Sequence, residues 1–202
     1  MWIGLVCLYG VLKGVRDIIK KKAMEKNSAM EVLFFYTFIS FLFVTPSVKN
    51  ALSIDFHYIG FVMIKSAIIF IAWICSFKAI KKLPIGFYGI MDMSRVIFAT
   101  VLGVTVLGEV MTGHKIAGMA LVLVGLLFVN AKGKGLGEEK TKPIYIVLVL
   151  ISCLCNAVSE LLDKMLMQSM NSGQLQFWYM FFMVILYLGY MLSLIHISEP
   201  TR

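Results

Sequence analysis

The stretch Pro84–Asn130, PIGFYGIMDMSRVIFATVLGVTVLGEVMTGHKIAGMALVLVGLLFVN, decides the fold of this chain. It contains two apolar runs, 85–107 and 116–129, which are joined by a polar hinge at 108–115. At about 1.5 Å of rise per residue, the first run crosses the roughly 30 Å hydrocarbon core of a bilayer as a helix, and the second nearly does. The stretch therefore predicts two membrane-spanning helices, the first of which begins after a proline.

The composition extends this interpretation to most of the chain. Of the 202 residues, 60% are hydrophobic and 15% are charged, whereas about 25% are charged in a soluble domain. The net charge of +8 does not indicate nucleic-acid binding. The lysines cluster between apolar runs, as they do in the cytoplasmic loops of membrane proteins. We expect the lipid bilayer, and no nucleic acid, as a partner.

The sequence carries no pattern for catalysis or for a cofactor. All four cysteines lie inside apolar runs, and Cys153 and Cys155 would point to different faces of a helix, so neither a disulfide nor a metal site is indicated. The histidines His57, His114 and His196 are far apart, and HExxH and GxSxG are absent. We therefore expect no enzyme, no cofactor and no bound metal.

Apolar runs recur along the whole chain and predict about seven transmembrane helices. They lie at 2–19, 32–48, 58–77, 85–107, 116–130, 144–166 and 175–195. No basic segment precedes the first run, which leads into Lys13 and Arg16 rather than a small-residue cleavage site, so we expect a retained helix. The expected fold class is an all-α polytopic membrane protein.

The connections between these runs carry the remaining basic residues. The first, third and fifth connections hold most of the lysines, which by the positive-inside rule would make them cytoplasmic and place the amino terminus outside. The fifth connection contains AKGKGLGEEKTK, residues 131–142. Its GKGLG does not lead into a Lys-Ser or Lys-Thr pair, so a hinge between two halves is favoured over a phosphate-binding loop.

The chain repeats itself across this linker. With a shift of 143, residues 15–38 align with residues 158–181 without a gap, and six positions are identical. Five spans would precede the linker, and an odd number of spans forces the second copy to enter the membrane inverted. The fold expected is therefore a five-helix inverted repeat with an incomplete second copy, an arrangement in which substrate sites lie where the repeats meet.

Two polar stripes occupy equivalent faces of the first and sixth predicted helices. The stripes are Lys13, Arg16, Asp17 and Lys20 in the first, and Asn156, Ser159, Glu160 and Asp163 in the sixth. Charge inside a bilayer costs about 2.5–3.5 kcal/mol per residue on insertion scales, so these residues require a reason. They either line a central aqueous cavity or reach the interface from the helix ends.

Further charges lie in the third and fourth predicted helices. Asp92 and Arg95 stand at i and i+3, where they can either neutralise each other or serve a substrate or proton. Lys65 should face the bundle interior, in the direction of Asp92. Glu109 stands at the end of the fourth helix and favours an interfacial or capping role. The glycines of the first, fourth and fifth helices, among them Gly118, predict close helix packing.

These residues resemble the EamA-type branch of the drug/metabolite transporter superfamily. The resemblance rests on the Leu83–Pro84 step, on LGEVMTGHKIAGMALVLVGLLFVN at 107–130, and on the restart after the linker, and it covers residues 2 to about 191. It implies a ten-helix carrier of two inverted five-helix units in the cytoplasmic membrane. Pro84, Glu109 and Gly118 match positions that are structural in the family, and no catalytic residue transfers.

The final residues, LSLIHISEPTR at 192–202, resemble a translated sequencing adapter and are left out of the fold. The predicted domains are a five-helix unit at 1–131, a linker at 132–142, two helices of a second unit at 143–191, and a non-native tail at 192–202. We expect the natural chain to continue beyond about Met191, and the two-helix second unit not to complete a transporting protein.

The leading hypothesis is a secondary carrier of small metabolites, amino acids or drugs that works by alternating access. The candidate pathway residues are Lys13, Arg16, Asp17, Lys65, Asp92, Arg95, Asn156, Ser159 and Glu160. Stripes of opposite charge favour a zwitterionic substrate. A coupling ion and a homodimer are both compatible with this hypothesis. The alternative is a non-transporting seven-span receptor or scaffold. The orientation stays open, because EamA-type proteins usually keep the amino terminus in the cytoplasm.

Overall fold

The computed structural model describes residues 2–132 and 142–198 and is helical in both segments. The helices are α1 (Trp2–Ala23), α2 (Ala29–Val44), α3 (Val48–Ala51), α4 (Phe56–Lys82), α5 (Ile85–Asp92), α6 (Ser94–Leu107), α7 (Gly113–Lys132), α8 (Pro143–Leu166) and α9 (Ser172–Ser198), with a 3-10 turn at Thr45–Ser47. Most of the predicted linker, 133–141, and the end of the predicted tail, 199–202, lie outside the described residues.

Each of the seven predicted spans corresponds to helical structure, which confirms an all-α polytopic membrane protein. Four segments are long and apolar enough to cross a membrane: Phe56–Lys82, Ile85–Leu107, Pro143–Leu166 and Ser172–Ser193. The apolar parts of α2 and α7 are shorter, at Ala29–Val44 and Gly113–Phe128. Helix α1 has sufficient length for a span but carries Lys13, Arg16 and Asp17 among its apolar residues.

The helix ends follow local capping signals in the sequence. At the start of α2, the Ser28 hydroxyl accepts from the Glu31 amide, and the Glu31 carboxylate accepts from the Ser28 amide. At the start of α9, Asn171 and Gln174 form the same reciprocal pair of bonds. Both arrangements satisfy amides that a helix leaves without a partner. They lie 143 residues apart, and so do the last residues of α1 and α8.

The core is centred on α4, which packs most extensively against α8 and also contacts α2 and α9. Its main cluster includes Leu33, Ile80, Leu83, Val149 and Tyr187, all essentially inaccessible. Helices α1 and α7 lie at the periphery, where α1 packs chiefly against α5, and α7 packs against α5 and α6. Their many exposed apolar side chains suit contact with lipid acyl chains.

The fourth predicted span is broken inside the membrane at Met93, between α5 and α6. The Met93 amide donates to the carbonyls of Ile90 and Met91, which tightens the chain into a turn. On α8, the Cys153 thiol lies 3.6 Å from the Asp92 carbonyl oxygen and is oriented to donate to it. The break therefore places Asp92 at a point where the backbone is irregular and α8 packs closely.

The predicted role of glycines in close helix packing is wrong for most of them. A Cβ atom would meet nothing within 4 Å at Gly10, Gly14, Gly113, Gly118 and Gly125. The physical reason is that these glycines lie on α1 and α7, the two peripheral helices, so no neighbouring helix approaches them. At Gly103, in contrast, a Cβ would meet the Glu109 side chain at 3.2 Å.

Gly108 has a conformational role, because it ends α6 with φ 65° and ψ 26°. Gly108→Ala is expected to lower the free energy of unfolding by about 1 kcal/mol, since a Cβ is disfavoured in the left-handed region. Gly118→Ala is the matched control and is expected to cost nothing, because the added methyl meets open space inside a helix. Equal losses in both variants, measured by thermal unfolding in detergent micelles, would contradict this assignment.

Candidate functional site

A polar cavity of about 280 Å³ lies between the helices. Eight of the nine pathway residues predicted from the sequence line it: Arg16, Asp17, Lys65, Asp92, Arg95, Asn156, Ser159 and Glu160. The ninth, Lys13, is not among the lining residues, but its ammonium donates to Asp92 Oδ2 at 2.7 Å. The structure thus brings together both polar stripes and the charges of α4, α5 and α6.

The Lys13–Asp92 ion pair joins α1 to α5. Both side chains are largely buried, with 14% and 11% of their surface exposed. The expected local pairing of Asp92 with Arg95 is wrong, because Arg95 Nε instead lies 3.3 Å from Glu160 Oε1 on α8. The physical reason is that Lys13 of α1 and Glu160 of α8 lie close enough to pair with Asp92 and Arg95.

Lys65 is buried as expected, but its predicted direction toward Asp92 is wrong. Its ammonium lies 3.1 Å from Asp163 Oδ1 on α8 and 3.9 Å from the centre of the Tyr179 ring. The physical reason is that α4 packs on α8 along most of its length, so the nearest carboxylate comes from α8 rather than from α5. This ion pair ties the two most extensively packed helices together.

Aromatic side chains form another part of the cavity wall. Trp73 of α4 stands between two tyrosines, with ring centroids 5.6 Å from Tyr36 and 6.4 Å from Tyr179. These tyrosines occupy equivalent positions of the sequence repeat. The Lys20 ammonium lies 5.0 Å from the centre of the Tyr36 ring and 4.8 Å from that of Phe77. The wall therefore combines charges with faces for an apolar group.

Sequence reasoning did not select several of these lining residues. Lys20 and Asp163 belonged to the predicted stripes but were not chosen as pathway residues. Ser76 and Tyr88 were not identified at all, although their hydroxyls share a hydrogen bond of 2.5 Å at the cavity. For two further lining residues, Tyr36 and Tyr179, a sequence signal was available, because they are identical at equivalent positions of the repeat.

A second cavity, of about 250 Å³, adjoins the first. Arg95 and Glu160 line both cavities, so their ion pair lies at the boundary between them. The second cavity extends to Glu109, Lys115 and Lys164, near the ends of α6 and α8. The two spaces together follow α6 and α8 from the central charges toward one end of these helices.

Glu109 occupies the turn between α6 and α7 and joins three elements. Its carboxylate accepts from Lys164 at 2.5 Å and from Lys115 at 2.9 Å, while its amide donates to the Gly103 carbonyl. These two lysine hydrogen bonds, first that of Lys164, lower the pKa of Glu109 to about 2. The predicted interfacial role of this residue thus takes the form of an ionic clamp between α7 and α8.

The clamp predicts a pH dependence of stability. Because the pKa of Glu109 is lower in the folded chain than its ordinary 4.5, its contribution is complete above pH 4.5 and is lost as the pH falls toward 2. The difference in unfolding temperature between wild type and Glu109→Gln should therefore be present at pH 7 and absent near pH 2. A difference that does not change over this range would contradict the clamp.

The family-motif positions Pro84, Glu109 and Gly118 lie outside the central cavity, although Glu109 lines the second one. Leu83 is extended, at φ −92° and ψ 150°, as expected for a residue before proline, and Pro84 caps α5. Gly118 lies on the exposed face of α7. Among the residues that the structure describes, no group of three His, Cys, Asp or Glu side chains is placed to hold a metal ion.

The sequence profile of the EamA-like transporter family matches residues 1–131, which are 131 of the 202 residues. The matched region contains α1 to α6 and almost all of α7. No curated protein matches the chain.

Proposed function

Because the chain belongs to the EamA-like transporter family, we propose that it is a secondary carrier that moves small metabolites, amino acids or drugs across the cytoplasmic membrane by alternating access. The observation that carries this proposal is the charged cavity, which lies between helices whose other faces are apolar. Charged side chains at membrane depth are costly and are retained where they bind ions or substrates. The proposal assigns the cavity to substrate binding.

The Arg95–Glu160 ion pair is the gate of the proposed pathway. It lies between the two cavities, and its side chains are 28% and 44% exposed, so protein does not fully enclose either charge. Separation of the pair would join the central cavity to the space beside Glu109 and Lys164. A partly hydrated ion pair is weak enough to open and close during a transport cycle.

A second copy of the helical unit supports this mechanism. We assign residues 143–191 to that copy, because its capping bonds at Asn171 and Gln174 repeat those of Ser28 and Glu31 at the same spacing. The two tyrosines on either side of Trp73 are also equivalent. In carriers built from inverted repeats, the substrate binds between the copies. Here that position corresponds to the cavity between α1 and α8.

The direct test is solute flux in vesicles. The protein, expressed from its own gene, is reconstituted into vesicles loaded with a mixture of amino acids, organic acids and amines, and efflux of each solute is measured by mass spectrometry. At least one solute should leave faster than from protein-free vesicles and should exchange with external solute of the same kind. Efflux equal to that of protein-free vesicles for every solute would contradict the proposal.

A further inference from the structure

The charges around the central cavity do not balance within the described residues. The carboxylates of the cavity each have a cation within 3.4 Å, in the pairs Arg16–Asp17, Lys13–Asp92, Arg95–Glu160 and Lys65–Asp163. Lys20 is the remaining cation of the cavity. No carboxylate of the described chain lies within 4.0 Å of its ammonium, and its contacts are the faces of Tyr36 and Phe77.

Comparison of the two copies of the repeat shows how Lys20 differs from its equivalent residue. The residue equivalent to Lys20 in the second copy is Asp163, which Lys65 neutralises from α4. Among the residues that line the cavity, helix α4 supplies only this one charge, and its Phe77 ring lies 4.8 Å from the Lys20 ammonium. The ammonium therefore lies against aromatic rings at a cavity, and no carboxylate of the described chain forms an ion pair with it.

We propose that Lys20 binds the anionic oxygen group, a carboxylate or a phosphate, of the molecule that this protein carries. This inference rests on the proposed carrier function and specifies its substrate class. A hydrogen bond between two charged groups is about twice as strong as a neutral one and stronger still away from bulk water. Since every cavity carboxylate already has a cation, the site has no free carboxylate for a cationic group. The expectation of a zwitterion is thus replaced by that of an organic anion.

The rest of the wall indicates the body of this anion. The Lys20 ammonium lies over the rings of Tyr36 and Phe77, and Trp73 packs against Tyr36. Aromatic faces of this kind stack well on planar, ring-sized groups. A volume of about 280 Å³ admits a molecule of one or two rings. The substrate class is therefore a small organic anion with one acidic group and a ring-sized apolar body.

The test uses three probes of similar shape and different charge: benzoate is an anion, benzamide is neutral and benzamidine is a cation. Phenyl phosphate is added as a second anion. Binding to the purified full chain in micelles is measured by titration calorimetry. Benzoate or phenyl phosphate should bind more tightly than benzamide and benzamidine, and the tighter of the two anions identifies the acidic group. Lys20→Met should weaken anion binding about 10- to 100-fold, while Lys20→Arg should largely retain it.

Lys22→Met is the matched control, because Lys22 carries the same charge on the same helix but is exposed outside the cavity. It should leave anion binding unchanged. Unchanged anion affinity in Lys20→Met, or tighter binding of benzamidine than of benzoate, would overturn the proposal. Solute flux in vesicles distinguishes a failure of the Lys20 proposal from a failure of the proposed carrier function. Flux with an unchanged KM in Lys20→Met would refute Lys20 alone, whereas no flux in wild type would refute the carrier function.

Discussion

Replacing Asp92 by asparagine is expected to lower the free energy of unfolding by about 3 kcal/mol. The change leaves the Lys13 ammonium buried without its partner, and breaking a buried ion pair from one side costs about 3–5 kcal/mol. The remaining exposure of the two side chains, 14% and 11%, places the expected loss at the lower end of this range. We expect the loss of this ion pair to weaken the attachment of α1 in particular. Most apolar side chains of α1 face outward and contribute little packing within the protein.

The double variant, Lys13→Met with Asp92→Asn, distinguishes the energetic contribution of the ion pair from the effect of changed side-chain size. Removing both charges leaves no buried ion, so the double variant should lose clearly less stability than the sum of the two single variants. Lys22→Met, on the exposed face of α1, should change stability by less than about 0.5 kcal/mol. Denaturant unfolding in mixed micelles measures wild type and the four variants, and losses that simply add would show that the pair does not hold α1.

Glu160→Gln is expected to reduce solute exchange about fivefold, which is the second large effect. The substitution removes the partner of Arg95 at the boundary of the two cavities, so the proposed gate loses the attraction that closes it. A partly exposed pair contributes on the order of 1 kcal/mol, and about 1.4 kcal/mol corresponds to a tenfold change in rate. Exchange is measured with the solute that the flux experiment identifies.

The charge-swapped variant, Arg95→Glu with Glu160→Arg, is the matched control for the gate. It preserves an ion pair at the same boundary, so exchange should recover to within a few-fold of wild type. Lys115→Met removes a charge that lines only the second cavity and should have a smaller effect than Glu160→Gln. Exchange that is normal in Glu160→Gln, or that stays lost in the swapped variant, would contradict the gate.

Helices and polar stripes could be predicted because their signals are local. Apolar runs of about 20 residues and charges at helical spacing are visible in the sequence, and the structure places Arg16, Asp17, Asn156 and Glu160 at one cavity as the stripes indicated. The capping pairs at the starts of α2 and α9 are also local, since their partners are three residues apart.

Ion-pair partners could not be predicted, because they depend on how helices pack. Lys13 and Asp92 are 79 residues apart, and only the contact of α1 with α5 brings them together. Sequence proximity favoured Asp92 with Arg95, but each of these side chains pairs with a residue of a different helix. No proline or glycine marks this break. Its carbonyl contact with Cys153 on α8 is again a tertiary feature.

The glycine prediction failed for a related reason. Small residues at regular spacing favour close helix approach only where a second helix is present. In this chain Gly118 and Gly125 lie on α7, whose exposed side faces no other helix. The sequence pattern alone does not distinguish a face that meets a neighbour from one that does not.

The most direct test of the central claim, a water-filled cavity inside the membrane, is cysteine accessibility in native membranes. Single cysteines replace Arg16, Asn156 and Glu160 at the cavity, or Ile18 and Leu154 on the outward faces of the same helices. The background chain carries alanine at the three less buried native cysteines, Cys7, Cys75 and Cys155.

A charged, membrane-impermeant methanethiosulfonate reagent should label the three cavity cysteines and leave the two outward-facing cysteines unlabelled. The account predicts this difference because the cavity positions contact water, whereas the outward positions contact acyl chains. Uniform protection of all five positions would contradict the account, since the polar stripes would then be packed away from water and could not line a substrate pathway.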